Sequence, residues 1–247
     1  MSIGSDEELE ALRRVGRVVR LALEAMEREV RPGITTGELD RIGGRVLEEH
    51  GARSAPRAVY GFPGDVCISV NDEAVHGIPG GRELRAGDLV KLDVTAELDG
   101  YMADSARTVP VPPVSDAARR LAACARTAFE QAMKVARAGG RVNDIGRAVE
   151  EVVRRRGFAV MRDLAGHGIG RAIHEEPSVP NYWDWRARAP LTEGLVITVE
   201  PIVAQRSGAY VDGDDGWTVR SADGGLVAHH EHTLVVTRGR PILLTAA

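Results

Sequence analysis

The sequence predicts an α+β chain in which two pseudo-symmetric halves each lend strands to one curved antiparallel sheet, with helices covering its outside. Three observations predict it. Amphipathic helices come in two pairs, a β-hairpin with a strong turn signal follows the first pair, and the second pair echoes the first. A shift of 106 residues aligns Arg31 with Arg137, Gly33 with Gly139 and Gly51 with Gly157, while Glu38 meets Asp144 and Leu39 meets Ile145. A register shared by two helices and their punctuation points to duplication of a helix–helix–sheet unit, and the period is too long for a solenoid. No Ser- or Pro-rich linker intervenes, so residues 1–247 are expected to form one domain, with halves at about 5–110 and 111–247.

The elements follow in order. Leu9, Leu12, Val15, Val19, Leu23, Met26 and Val30 recur at helical spacing, Ser5 with Glu8 has capping-box spacing, and Arg31 to Gly33 ends the run. A second helix is expected from about Thr36 to His50, with Thr35 and Glu38 as its capping box and Gly51 just past its end. Val66 to Val70 reads as a strand. Val90 to Val111 reads as a hairpin closed by Asp99-Gly100, because a type I′ turn needs positive φ at both central residues. Ser115 caps a third helix, and a fourth runs from about Asn143 to Arg156 with Gly157 behind it.

Bulk properties narrow the function classes. The 247 residues, 43% hydrophobic, can bury a sizeable core. A net charge of -4 gives no push toward nucleic acid or an anionic membrane, and no apolar run approaches the ~20 residues of a membrane span. The acidic amino terminus does not read as a signal peptide. Two distant cysteines, Cys67 and Cys124, make neither a disulfide framework nor a thiolate metal site, which fits a reducing cytoplasm.

The hairpin poses the chemical question. With Asp99-Gly100 as its turn, Thr95 faces Asp104, so Asp93 and Asp104 lie diagonally on one face with Cβ atoms roughly 7 Å apart. Further ionisable residues interrupt β-prone runs: His167 and His174 among glycines, Glu200 inside Leu195 to Val203, and Glu231 ahead of Leu234 to Val236. Singly, each has an ordinary explanation, since strand-end acids are usually solvated and histidines near glycines are mostly structural. Together they need positive charge, because a carboxylate in an apolar strand is costly without it. Lys91 or Arg107 could supply some, but not enough for four acids. Two divalent cations could, and an imidazole among the donors suits Mn²⁺, Fe²⁺, Co²⁺ or Zn²⁺ better than Ca²⁺ or Mg²⁺.

The blocks "VNDEAVHGIP", "KLDVTAELDGYMADSART", "GHGIGRAIHEEP", "ITVEP" and "EHTLVV" resemble, in order and over nearly the whole chain, the signature blocks of type I methionine aminopeptidases. The resemblance implies the pita-bread fold and a dinuclear centre of two divalent ions held by Asp93, Asp104, His167, Glu200 and Glu231, with Asp104 and Glu231 bridging. It implies removal of the initiator methionine from nascent chains whose second residue is small, by attack of a metal-bridging water. Glu200 would shuttle the proton, His174 would polarise the scissile carbonyl, and His76 would hold the peptide amide. The α-amine would bind a metal, which restricts cleavage to the terminus. Phe62, Cys67 and Trp217 match positions lining the methionine pocket. The expected partners are nascent polypeptide N-termini, met at the ribosome exit, with no membrane, no direct sequence-specific nucleic acid binding and a monomeric protein.

Departures from the pattern are Ile173 and Val59, where many bacterial relatives carry rings. His229 and His230 crowd Glu231 and are expected to be mostly structural or solvent-facing rather than extra ligands. The 26-residue interval from His174 to Glu200 is too short for the helical insertion of type II enzymes, and no zinc-finger cysteines precede the blocks. The rival readings are another pita-bread peptidase, such as an X-Pro aminopeptidase or prolidase, and a binding protein that kept this fold without catalysis. The first usually carries a separate amino-terminal domain, and the second predicts missing ligands.

Overall fold

The structure, a computed structural model, describes residues 1–246. The helices are α1 (Asp6–Glu29), α2 (Thr36–Glu49), α3 (Ala55–Tyr60), α4 (Asp116–Ala132) and α5 (Val142–Arg155). The duplication is visible in the backbone. Both ends of α2 lie 106 residues before those of α5, and the glycines behind them, Gly51 and Gly157, both adopt left-handed φ of 70° and 77°. Thr35 N–H donates to the Glu38 carboxylate at 2.8 Å, and Arg141 N–H donates to Asp144 at 3.0 Å in the same role. Ahead of each helix, Gly33 N–H binds Leu84 O and Gly139 N–H binds Leu191 O.

Each half has its own core. In the first, Val19, Leu23 and Leu39 of α1 and α2 pack on Leu92 and Val94 of the hairpin. In the second, Leu121, Phe129, Ile145 and Val149 of α4 and α5 pack on Ile197, Val199 and Leu234. The hairpin pairs Leu89–Leu98 with Tyr101–Pro110 in the expected register, Leu98 opposite Tyr101 and Thr95 opposite Asp104. Asp99 and Gly100 at φ 54° and 78° make its turn.

One expectation needs correction, and two features add detail. The antiparallel ladder of the expected fold runs in four stretches of three to five strands. Its breaks coincide with two acids expected to be metal ligands: Glu200 lies between strands Val196–Val199 and Ile202–Ala204, and Glu231 lies between Val227–His229 and His232–Val235. These paired strands bend together, since Val199 faces His232 and Ile202 faces His229. At α1, Ser5 does cap Glu8 N–H, but the Glu8 carboxylate accepts from Gly4 N–H instead of closing the box. The short helix α3 was not expected; its six residues are too few to show a period.

Gly146 on α5 fits against the chain at Tyr182, where an added Cβ would stand 2.1 Å from the Tyr182 carbonyl oxygen. Gly146→Ala is therefore expected to cost about 1–3 kcal/mol, or more, by overpacking a backbone that has no room to yield. At roughly 2–4 °C per kcal/mol for this size, thermal unfolding should begin several degrees lower. An unchanged Tm would show that α5 can shift away from that loop.

Candidate metal centre

The seam between the halves holds the acids. Asp93 and Asp104 come from the hairpin of the first half, and His167, Glu200 and Glu231 come from strands or strand breaks of the second. The backbones that carry them are joined directly. Thr233 Oγ1 accepts from Asp104 N–H and donates to Asp104 O, both at 2.8 Å. Glu231 N–H donates to Ala106 O at 2.9 Å, and Ser105 Oγ donates to Glu231 O at 2.6 Å. Because these are main-chain ties, the carboxylates remain free to face the cleft.

His167 is prepared as a nitrogen donor. Its Nδ1 sits 2.8 Å from Gly168 O, and a carbonyl can only accept, so Nδ1 carries the proton and Nε2 presents its lone pair. Nε2 lies 3.7 Å from Glu200 Oε1. One hydroxyl orders both groups, since Thr198 Oγ1 accepts from His167 N–H and donates to Glu200 Oε1 at 2.9 Å. The glycines around His167 are needed for this closeness, because a Cβ on Gly166 would stand 2.6 Å from Thr198 O.

The electrostatics are those of a site built for cations. Burial, then mutual repulsion, pushes Asp93, Glu200 and Glu231 well above the ordinary carboxylate range, and burial raises Asp104 to about 6. Burial lowers His167 to about 4, so its ring is neutral at pH 7. Among the described residues, Asp104 Oδ1 and Glu231 Oε1 are buried with no hydrogen-bond partner. The side-chain cations weighed from sequence are spent elsewhere: Lys91 Nζ donates to Asn71 O, and Arg107 pairs with Glu27. Unpartnered buried oxygens beside neutral imidazoles fit divalent metal, and these carboxylate and imidazole donors suit the borderline first-row ions.

The remaining expected residues line the same cleft of about 260 Å³. That is below the ~300–1,000 Å³ of sites for drug-sized ligands, a size suited to one side chain and a short stretch of peptide. His76 is held at φ 58°, unusual for a non-glycine residue, and burial lowers its pKa. Phe62 and Trp217 meet edge to face with centroids 5.2 Å apart. Cys67 stands opposite Asp93 in the ladder, and burial raises its thiol pKa well above normal, which leaves it a small neutral wall residue. Ile173 also lines the cleft, whereas Val59 is exposed outside it.

Two residues were missed or misread from sequence. Tyr60, one position beyond Val59, reaches into the cleft and places its hydroxyl 2.7 Å from His174 Nδ1. Its only sequence signal was its place beside "GF" in a stretch already suspected of lining the pocket. Of the two alternatives expected for His229, the solvent-facing one does not hold: it is 2% exposed, with Nε2 3.4 Å from Glu231 and 3.8 Å from Glu200. The bend at Glu231 turns it inward, and that bend is not written in local sequence. His230, by contrast, packs between Phe129 and His232 as a structural residue.

Comparison with known proteins matches this architecture. The model of metallopeptidase family M24 matches residues 10–238. A Bacillus subtilis protein named methionine aminopeptidase 2 is 45% identical, with 99% of each chain aligned. The crystal structure of a methionine aminopeptidase from Thermotoga maritima superposes with a TM-score of 0.96 at 32% identity, covering all of both chains. A Pyrococcus furiosus prolidase, at 23% identity and a TM-score of 0.80, shares the fold, and this chain covers 65% of it. Pseudo-symmetric halves, an acid-lined seam and relatives of matching length converge: the chain belongs to metallopeptidase family M24 and is a metal-dependent hydrolase.

Proposed function

We propose that this protein removes the amino-terminal methionine from nascent polypeptides whose second residue is small. The observation that carries the proposal is a cleft with a buried acid cluster beside an apolar wall of Phe62, Trp217 and Ile173. Full-length relatives named methionine aminopeptidases support the same reading. Asp93, Asp104, His167, Glu200 and Glu231 would hold two divalent ions, with Mn, Fe, Co and Zn all compatible with the donor set. When bound, such ions act as Lewis acids and lower the pKa of water.

The chain's own residues supply the rest. Glu200, its charge disfavoured by burial, is suited to take a proton from the attacking water and pass it to the leaving amine. Its Oε1 also accepts from the Thr198 hydroxyl, which fixes the carboxylate's orientation. His174 donates from Nε2 to the scissile carbonyl as negative charge grows there. That role requires the Nε2–H tautomer, in which Nδ1 is free to accept from the Tyr60 hydroxyl 2.7 Å away. His76 orients the peptide amide. The aromatic wall suits a thioether, since sulfur–aromatic contacts contribute about 0.3–1.5 kcal/mol. Two free buried cysteines fit the cytoplasm, where nascent chains are met.

Release of methionine from Met-Gly-Met-Met, set against cleavage of an X-Pro peptide, tests the reading. Methionine release that chelator abolishes is expected; preference for the X-Pro peptide would overturn it in favour of a prolidase-like activity.

The titrations set a further expectation. A carboxyl with a raised pKa is protonated below that value, and metal must displace the proton. With Asp104 at about 6 and His167 at about 4, affinity should fall as pH drops from 7 to 5 because the acids gain protons while the imidazole stays free. Calorimetry in buffers of different ionisation heat should show proton release on metal binding near pH 6. Proton-neutral binding there would contradict the assignment of Asp104.

A further inference from the structure

We propose that His229 is an additional metal ligand, which gives the Glu200–Glu231 end of the cleft an imidazole of its own. The proposal rests on the reading of the cleft as a metal centre and adds a sixth donor to the five expected. The His229 ring is buried, and neither of its nitrogens has a hydrogen-bond partner among the described residues. An unsatisfied buried polar group is costly, so a ring left in this state calls for a partner.

The distances identify the partner. Nε2 stands 3.4 Å from Glu231 Oε2 and 3.8 Å from Glu200 Oε2. Both exceed the 2.7–3.2 Å of an N–H···O bond. They match the separation of donors that would share one ion, and His229, Glu200 and Glu231 together form a group able to hold one. The backbone holds the ring in place. His229 N–H donates to Thr108 Oγ1, and Thr108 Oγ1 donates to His229 O, both at 2.8 Å, which pins the residue to the hairpin that carries Asp93 and Asp104.

The outcome is a centre with an imidazole on either side of Glu200. His167 Nε2 faces its Oε1 at 3.7 Å, and His229 Nε2 faces its Oε2. A nitrogen at each end moves the pair away from all-oxygen chemistry, and so toward Zn²⁺, Co²⁺ or Fe²⁺ in preference to Mg²⁺.

X-ray absorption on metal-stripped protein loaded with two equivalents of Zn²⁺ counts the imidazoles without any mutation. Two histidine ligands over two zinc ions give an average of about one imidazole per zinc, whereas His167 alone gives about one half. The His229→Gln variant should fall to the lower count and bind its second zinc at least about tenfold more weakly, with the first unchanged. A wild-type count of one half, or an unaltered second affinity in His229→Gln, overturns the role of His229. Zinc bound with no imidazole, or not bound at all, would instead overturn the metal-centre reading itself.

Discussion

Glu231→Ala is expected to abolish hydrolysis and metal loading together, while leaving the metal-free fold as stable as before or more so. The unusual sign of the second effect follows from the site. In the metal-free protein Glu231 is a buried acid with Oε1 unpartnered, surrounded by Asp93, Asp104 and Glu200. It stabilises nothing there and repels its neighbours. The bonds that hold its segment, to Ala106 and from Ser105, are made by its main chain and survive the substitution. Bound metal, by contrast, should stabilise the wild type by about 2.7 kcal/mol at a hundred times Kd, and the variant should lose that gain. Thermal unfolding with and without Co²⁺ or Mn²⁺ separates the cases. Activity surviving in a metal-depleted variant, or a large loss of stability without metal, would refute the role given to Glu231. Asp104→Ala should behave alike, because Asp104 Oδ1 is the other unpartnered oxygen and its backbone is tied to Thr233.

The second large effect should come from His174. Its imidazole lines the cleft next to His167, with ring centroids 4.3 Å apart, yet among the described residues it belongs to none of the donor groups that could hold an ion. His174→Ala should therefore retain full metal content while kcat falls by about 10²–10³, the usual effect of losing one oxyanion donor. KM should move little, since the interaction grows only as charge develops on the carbonyl. Tyr60→Phe should show a smaller loss of kcat with KM unchanged, because it removes only the hydroxyl beside Nδ1 of His174. Loss of metal from His174→Ala, or an undiminished kcat, would assign the ring a different task.

How far the site was readable can be argued residue by residue. The positions of Asp93 and Asp104 followed from Asp99-Gly100 alone, because a two-residue turn sets the register of both strands and a strand's side chains alternate without exception. Helix α2 followed from its Thr35–Glu38 cap and Gly51, α5 from its one apolar face and Gly157, and their common interval of 106 residues from repetition. That Glu200, Glu231 and His167 share a cleft with the hairpin came from a family resemblance, not from any local pattern.

Tyr60 and His229 mark the boundary. Turns, caps and periodicities couple residues within a few positions of one another, so they could be deduced from the order of amino acids. Tyr60 meets His174 across 114 positions, and His229 points at Glu200 only because two paired strands bend at the same place. Such encounters depend on how separately folded layers settle against each other, where an ångström decides between a wall and a ligand. Chain chemistry specified which groups are ionisable and which segments carry them; packing alone decided which of those groups face one another.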